Sequence, residues 1–378
     1  MADKGWQVHR PGASRVRRAV LATLTLAAAT AAASDQWVIF KGQVNGPVAK
    51  PFGIDLETFR HQQYPGLFWA EAYYHHLNCP DGSMITVQVS FDPREINIAF
   101  VYDTPKIEPF SDYVIGDYDD VVFAEKGFGI TFEKNRIWLE GNTYYLHLEL
   151  PKTTADIALP IISASYSYGD GMLRYPDGKS FTEYTLPITW AKARADAVLE
   201  GKKVHLDGYG NMNHDTGVIF PTYSPWNWQV FWFFGEDHAL AVTDFFTHQE
   251  FGVVPVQRLV FADKSGRQFT STQFTMNWDD WVKAEDIPFR YPLHYTLSAE
   301  AGGAKLEAEV RATETLLRED LFSNLPAVLR VIAKRLTPNC WTYDAWCDYT
   351  LSYTDQGRTA KYQGRGICRW TNLEEEKP

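Results

Sequence analysis

Residues 208–217 concentrate the residue types that could do acid–base chemistry. The segment reads Gly-Tyr-Gly-Asn-Met-Asn-His-Asp-Thr-Gly, so a phenol, a histidine, a carboxylate and amides lie within ten residues. Glycine and asparagine tolerate positive φ, which predicts a tight polar turn, and histidine is readily poised near neutral pH. We therefore predict His214, Asp215 and Tyr209 as catalytic residues and Asn213 as a ligand-binding residue. A core histidine is the alternative for His214.

An aromatic strand is predicted directly after this segment. Residues 224–228 read Ser-Pro-Trp-Asn-Trp, and alternate side chains of a strand share one face. Trp226 and Trp228 therefore face one side and Asn227 the other, and only one side can line a pocket. Ligand pockets are mostly apolar with a few convergent polar groups. We predict Tyr223, Trp226 and Trp228 as ligand-binding residues, with core packing as the alternative; further candidate polar residues are His75, Asp244 and His248.

Other chemistries lack their motifs. His75 and His76 are adjacent and would point to opposite faces of a strand, and no H-x-x-x-H or C-x-x-C spacing exists. There is no G-x-S-x-G elbow, no P-loop and no dinucleotide-binding fingerprint. We accordingly predict no metal and no cofactor. A glycosidase with paired carboxylates stays open, because spacing in sequence does not determine separation in space.

The segment 208–217 resembles the G-x-G-Y-x-D-H-N-x-G signature of the hydroxyneurosporene synthase (carotenoid 1,2-hydratase) family. This lipocalin-like superfamily includes the AttH proteins, kievitone hydratase and fungal Diels–Alderases. Gly208, Gly210, His214 and Gly217 match in place. Three more segments resemble family motifs in the family's order: residues 71–77 (Glu-Ala-Tyr-Tyr-His-His-Leu), 226–228 (Trp-Asn-Trp) and 364–366 (Gly-Arg-Gly).

The resemblance implies two lipocalin-like domains and a lipophilic small-molecule ligand such as a terpenoid, polyketide or lipid. It adds Glu71 and Tyr73 to the ligand-binding residues. The implied activity is that of a cofactor-free hydratase, isomerase or cyclase, and the alternative is a non-catalytic carrier. The family's motif acid is Asn213 here, an amide that cannot transfer a proton, while a carboxylate stands at Asp215 and the late family glutamate is Arg369. A sugar-binding β-sandwich is a third possibility.

Composition predicts an all-β fold, and the resemblance implies that it consists of two lipocalin-like β-barrel or sandwich domains. Aromatic residues make up 15% of the 378 residues and fit half-buried strands. Short strand-like runs with turns between them, such as 84–91 and 96–102, indicate sandwiches or barrels. A charged, alanine-rich stretch near residues 192–201 divides domains 34–195 and 196–378. Apolar residues at helical period predict one short helix at 325–336.

Residues 1–33 are predicted to be a secretory signal peptide. Arginines precede an apolar run at 19–29 and a small-residue cleavage region, which predicts export to the periplasm or outside the cell. An uncleaved anchor or a transit peptide is the alternative. No later segment reaches 18 apolar residues, so we predict no integral membrane segment after cleavage. The net charge of −11 disfavours nucleic acid as a partner.

Two of the four cysteines can be paired by strand register. If Gly357 and Arg358 form a two-residue type II′ loop, Cys347 lies opposite Cys368 across a hairpin. A facing pair of the closer, non-hydrogen-bonded kind admits a disulfide. We predict this disulfide, with two reduced thiols as the alternative. Cys79 and Cys340 remain without an assigned partner.

Overall fold

The computed structural model describes residues 38–42, 45–47, 54–64, 69–104, 107–163, 165–218, 227–247, 254–283, 290–320 and 341–372. Within these ranges the chain is all-β apart from two short 3-10 helices, Leu56–Phe59 and Tyr118–Asp120. The predicted signal peptide and the predicted helix at 325–336 lie outside the described residues. No helix in the described ranges is long and apolar enough to cross a membrane.

The strands, in chain order, are β1 (Val38–Ile39), β2 (Gly46–Pro47), β3 (Trp69–Asn78), β4 (Met84–Phe91), β5 (Glu95–Thr104), β6 (Ile107–Asp117), β7 (Val122–Phe123), β8 (Gly129–Phe132), β9 (Asn135–Glu140), β10 (Thr143–Glu149), β11 (Thr153–Ser163), β12 (Tyr166–Arg174), β13 (Phe181–Leu199), β14 (Lys202–Val218), β15 (Asn227–Phe234), β16 (His238–Phe246), β17 (Pro255–Asp263), β18 (Gln268–Ser271), β19 (Thr275–Asp279), β20 (Val282–Lys283), β21 (Arg290–Tyr291), β22 (His294–Ala301), β23 (Ala304–Asp320), β24 (Trp341–Asp355) and β25 (Arg358–Asn372).

Two large antiparallel sheets curl into half-barrels. The first has the order β6-β5-β4-β3-β14-β13-β11-β10-β9-β8-β7, with β12 on β13 and β1 on β12. The second has the order β19-β22-β23-β24-β25-β15-β16-β17-β18-β2, and β20 and β21 form a separate pair. Strand β2 lies in the chain between β1 and β3, which both belong to the first sheet, but it pairs with β18 of the second. This N-terminal strand therefore ties the two sheets together.

The first sheet continues past the predicted domain boundary at 195/196. That boundary falls inside β13, which pairs with β14 from Phe181↔Val218 to Leu199↔Lys202. The alanine-rich stretch taken for a linker is a strand that buries alternate small residues, Ala191, Ala193, Ala195 and Ala197. The chain passes from the first sheet to the second between Val218 and Asn227.

The glycine segment 208–217 is a strand, so the predicted polar turn is wrong. It lies within β14, and Gly208, Gly210 and Gly217 do not have positive φ. A Cβ atom on Gly208 would lie 2.2 Å from the carbonyl oxygen of Asn78, and one on Gly210 would lie 2.2 Å from that of His76. Glycine is needed here because neighbouring backbones approach closely.

Gly210→Ala is therefore expected to destabilise the protein strongly, because the added methyl group overlaps backbone that cannot rotate away. Chemical unfolding of the variant measures the loss of unfolding free energy. Gly141→Ala is the control: Gly141 has φ +58° with nothing within 4 Å of an added Cβ, so only the left-handed backbone strain of about 1–2 kcal/mol is expected. A loss at Gly210 no greater than that at Gly141 would contradict the close approach of β14 to β3.

The predicted disulfide between Cys347 and Cys368 is confirmed, with a Cα–Cα separation of 6.3 Å. Its register differs from the prediction by two residues, because the loop is Gln356-Gly357 and Cys347 lies opposite Gly366. Both loop residues have positive φ, at 48° and 73°, which is the type I′ geometry. The bond therefore runs diagonally between the two strands. Cys79 is a buried free thiol, and Cys340 lies outside the described residues.

Each half-barrel has its own apolar core, and two smaller clusters join the sheets. The cluster that contains Tyr184 and Tyr168 of the first sheet also contains Phe245 and Val260 of the second. A second joining cluster includes Trp190 from the first sheet and Trp232 and Trp346 from the second. The second sheet therefore covers part of the outer face of the first sheet. Some side chains on that face pack against the second sheet, and the others face solvent.

Candidate functional site

A buried carboxylate cluster closes one end of the first half-barrel. The carboxylate of Glu71, on β3, accepts from the backbone N–H of Gln62 at 3.1 Å and from Nε2 of His214 at 2.7 Å. Nδ1 of His61 contacts its second oxygen, and the Tyr73 hydroxyl lies 3.1 Å from the first. The Glu71 side chain has no exposed surface. Four partners thus saturate this carboxylate.

His214 joins this cluster to the segment that contains the first 3-10 helix. Its Nδ1 donates to the carbonyl oxygen of Thr58 at 3.0 Å, and its ring stacks on Tyr73 at 4.2 Å. Only 3% of His214 is exposed. Both ring nitrogens face acceptors, the Thr58 carbonyl oxygen and the Glu71 carboxylate. His214 is held in the core and does not face an open cavity.

The Glu71 carboxyl stays ionised because its partners outweigh its burial. Burial by itself raises the pKa of Glu71, but the hydrogen bonds and charges of His214 and His61 lower it further than burial raises it. The net pKa lies below the ordinary value. A saturated, ionised carboxylate in a closed network has no oxygen left for a ligand. We therefore assign Glu71 a role in organising the fold around the end of the first half-barrel.

The predicted catalytic residues lie on opposite faces of β14. His214 is opposite Tyr73 and faces the core, so Asp215, the next residue, faces outward. Tyr209 also faces outward, but six residues from Asp215, or about 20 Å along an extended strand. It lines a different groove of about 490 Å³ with Lys192 and Glu236. The structure therefore brings His214, Glu71 and Tyr73 together and separates Asp215 and Tyr209 from them.

Asp215 lines a concave groove of about 530 Å³ on the outer face of the first sheet. Its Oδ1 atom is buried and has no hydrogen-bond partner among the described residues. Small, aromatic, hydroxyl and amide residues line the groove together with three further acidic residues: Ala70, Ala72, Tyr74, Gln88, Ser90, Phe91, Asn97, Thr182, Thr216, Gly217, Glu71, Asp92 and Glu95. The volume falls within the range of small-molecule sites. We call this feature the Asp215 groove.

Burial is the main influence on the Asp215 carboxyl. It raises the pKa of Asp215 to about 6, while the positive charges of Arg258 and His214 and a hydrogen bond from Asn213 act in the opposite direction. Asn213 and Asp215 lie two residues apart and share the outward face. Asn213 occupies the position of the motif's acid. The carboxylate of Asp215 is thus carried by the next residue on the same face of β14.

A buried cation lies at the contact between the sheets. Arg258 on β17 is 7% exposed, and its guanidinium carbon lies 3.5 Å from the ring centroid of Tyr184. Tyr184 is directly opposite Asp215 in the pairing of β13 with β14. Within the described part of the chain, Arg258 forms no ion pair and no side-chain hydrogen bond. Sequence reasoning missed Arg258, although it interrupts the apolar alternation Val256, Val260 of its strand.

The remaining predicted residues occupy three kinds of position. Trp228 packs against the joining cluster that contains Tyr184. Tyr223, Trp226 and His248 lie outside the described residues. His75 is fully buried and bonded to Val87 and Tyr144, and burial lowers its pKa to about 4. Among the described residues no group of three His, Cys, Asp or Glu side chains is arranged to hold a metal ion.

Asp244 lies inside the second half-barrel and not in the Asp215 groove. It stands opposite Gln229, which stands opposite Trp370, so these side chains form one row across three strands. Asp244 is 1% exposed, and its Oδ1 has no hydrogen-bond partner. Burial raises the pKa of Asp244 to about 7, and a hydrogen bond from Gln257 opposes this rise.

Comparison with solved structures identifies the fold. The chain superposes on CghA, solved with Sch210972, with a TM-score of 0.61 and 11% identity over 91% of this chain and 98% of CghA. It superposes on an AttH protein of Nitrosomonas europaea with a TM-score of 0.54 and 14% identity over 86% of this chain and 98% of that one. The chain therefore shares the fold of these two proteins, which is the fold that the motifs predict.

Kievitone hydratase from Nectria haematococca also aligns, at 13% identity over 80% of this chain and 88% of its own, but its TM-score of 0.48 supports no argument. No family model matches the chain, and no curated protein matches it. At these identities the similarity establishes the fold, and function has to be argued from the site.

Proposed function

We propose that the protein binds a lipophilic small molecule in the Asp215 groove and that Asp215 exchanges a proton with it. One observation carries this proposal: Asp215 lines a groove of small-molecule size, and one of its carboxyl oxygens is buried without a hydrogen-bond partner among the described residues. Buried polar atoms in folded proteins are nearly always hydrogen-bonded, so an orphaned one calls for a functional explanation.

Asp215 is suited to acid–base work near neutral pH. A carboxyl group with a pKa of about 6 populates both protonation states in that range. As an acid it would add a proton to one carbon of an alkene, and water would add to the resulting carbocation. The proton released by that water returns to the Asp215 carboxylate. The balance is the addition of one water with no cofactor; removing a different proton instead gives an isomer.

The comparisons support a small-molecule host. CghA was solved with the small molecule Sch210972, so the shared fold can hold such a ligand. Tyr184, which stands directly opposite Asp215, belongs to a cluster with Trp228 and Phe245 that offers apolar surface. We also propose that the protein acts after export; the Cys347–Cys368 disulfide supports this, because disulfides persist in oxidising compartments.

The first test is native mass spectrometry of the purified protein, with any co-purifying lipophile identified. The second is incubation with lycopene, followed by a search for a product one water heavier. We expect Asp215→Asn to lose turnover by about a hundred- to ten-thousandfold, the usual contribution of an acid–base group. Asp119→Asn, at an exposed position, is the matched control and should keep full activity.

The pH profile distinguishes the two roles of Asp215. Activity should rise as pH falls through about 6 if Asp215 acts as the acid, and fall if it acts as the base. Asn213→Asp places a second carboxyl on the same face, and like charges should move this limb to higher pH. Ligand retention without turnover in either protein would favour the carrier, and equal turnover by wild type and Asp215→Asn would contradict the assignment.

A further inference from the structure

Asn97 is a second groove residue with an unsatisfied polar atom. Its Oδ1 is buried and, like that of Asp215, has no hydrogen-bond partner among the described residues. Both residues line the Asp215 groove. Buried polar atoms are nearly always hydrogen-bonded, because an unpaired one costs the free energy of its desolvation. A ligand that bonds to both atoms would remove this cost at two places in one groove.

Strand register places Asp215 and Asn97 in one row on the outer face of the first sheet. Asp215 on β14 stands opposite Ala72 on β3. Ala72 stands opposite Ser90 on β4, which stands opposite Asn97 on β5. Directly opposite residues of antiparallel strands share a face, and all four line the groove. Neighbouring strands lie about 4.8 Å apart, so the three steps from β14 to β5 separate the two ends of the row by about 14 Å.

The middle of this row leaves room for an extended chain. Ala72 and Ser90, which separate Asp215 from Asn97, have small side chains. Tyr74 and Gln88 stand opposite each other in the next row on the same face and also line the groove. They therefore border the row on one side. A linear molecule can lie over the two small residues with one end at Asp215 and the other at Asn97.

The two unsatisfied atoms select a hydroxyl group at each end of such a molecule. A hydroxyl both donates and accepts hydrogen bonds. It therefore pairs with the Asn97 amide in either orientation of that amide, and with the Asp215 carboxyl in either protonation state. An anionic end group is disfavoured, because Asp92 and Glu95 also line the groove and none of the described lining residues is basic.

We propose that the Asp215 groove binds a linear lipophile with hydroxyl groups near both ends, about 14 Å apart. This inference rests on the proposed function and specifies its ligand class. One hydroxyl bonds to Asn97. The other, at Asp215, is the hydroxyl that the proposed hydration forms. The substrate of that hydration is then an alkene that already carries a hydroxyl group at its far end.

The test compares a diol with the alcohol that lacks its second hydroxyl. The carbon chain of dodecane-1,12-diol spans about 14 Å when extended, and dodecan-1-ol has the same chain. Native mass spectrometry of the protein with each probe measures both affinities. Hydrophobic binding by itself favours dodecan-1-ol, which is the more apolar of the two. We expect the diol to bind about three- to tenfold more tightly, the usual worth of one hydrogen bond.

Variants and chain length separate recognition of the second hydroxyl from general binding. Asn97→Ala should lower the affinity for the diol to that for dodecan-1-ol and leave dodecan-1-ol unchanged; circular dichroism checks that the variant is folded. Asn277→Ala, at an exposed asparagine of β19, is the matched control and should change neither affinity. In the wild type, hexane-1,6-diol is about half as long and should bind no more tightly than hexan-1-ol.

The outcomes also separate the inference from the function on which it rests. Tighter binding of dodecan-1-ol than of the diol, or an equal loss of both in Asn97→Ala, would overturn the inference. If Asp215→Ala then still weakens both probes, the groove remains a lipophile site and the proposed function stands. Binding of neither probe, or binding that Asp215→Ala leaves unchanged, would overturn both.

Discussion

Replacing His214 by alanine is expected to lower the free energy of unfolding by about 3–5 kcal/mol, the usual cost of breaking a buried ion pair. The substitution removes the donor to Glu71 at 2.7 Å and the donor to the Thr58 carbonyl at 3.0 Å. It leaves a fully buried carboxylate with one partner fewer. From the sequence, where His214 stands in a supposed turn, the same variant is predicted to keep its fold and lose only ligand affinity.

The pKa shift of Glu71 also predicts the direction in which stability changes with pH. The pKa of Glu71 is lower in the folded protein than its ordinary value, so folding favours the ionised form. The resulting stability is fully present above the unfolded pKa and is lost as pH falls through the folded pKa. Urea unfolding between pH 7 and pH 3 should therefore show less acid sensitivity for Glu71→Gln than for wild type, together with lower stability at pH 7.

The control for this series is Glu57→Gln. Glu57 forms an exposed pair with Arg60, with 74% of its side chain in solvent, and exposed pairs contribute at most about 1 kcal/mol. A loss for His214→Ala as small as the loss for Glu57→Gln would show that the network around Glu71 is not a structural centre. In that case the histidine would return as a candidate for ligand contact.

Replacing Asp244 by asparagine is expected to stabilise the protein at pH 8. Burial raises the pKa of Asp244 from 3.8 to about 7, so ionising it in the folded state costs free energy. The difference between these values corresponds to at most about 4 kcal/mol. Asparagine keeps an acceptor for Gln257, and its amide N–H groups lie next to the side chain of Gln229 on the neighbouring strand.

The contribution of Asp244 to stability changes with pH in the opposite direction to that of Glu71. The folded protein binds the Asp244 proton more tightly than the unfolded chain, so wild-type stability falls as pH rises from about 4 to about 7 and is level above that range. Thermal unfolding of Asp244→Asn should lack this contribution, and its gain over wild type should vanish near pH 4.

Asp348→Asn is the matched control for this comparison, because Asp348 is an exposed aspartate in the same sheet. It should leave the pH dependence unchanged. A variant Asp244→Asn that is destabilised at every pH would show that the carboxylate is held ionised by partners, contrary to its burial without a partner at Oδ1.

Local sequence determined the fold class and many of its strands. The run 84–91 is a strand with the predicted bounds, and its alternating burial follows from the alternation of its side chains. The predicted disulfide between Cys347 and Cys368 is confirmed, although the register from which it was counted differs by two residues. Such features depend on neighbours in the chain, which the sequence shows directly.

The spacing of the glycines in the sequence did not determine which local structure they form. Gly208 and Gly210 suggested positive φ, but their reason is the close approach of backbone from β3, more than 100 residues earlier in the chain. A missing side chain is compatible with either explanation. Only the pairing of distant strands distinguishes a turn from a close contact.

Tertiary structure determined which of the candidate residues lie together and which are separated. The sequence by itself placed His214, Asp215 and Glu71 among the chemically capable residues, and its motifs indicated the superfamily's fold. It could not show that His214 and Asp215 serve different environments, because the face that each takes depends on which side of β14 the core lies. Nor could it reveal the burial of Arg258 or the saturation of Glu71, since burial and partners come from strands far apart in sequence.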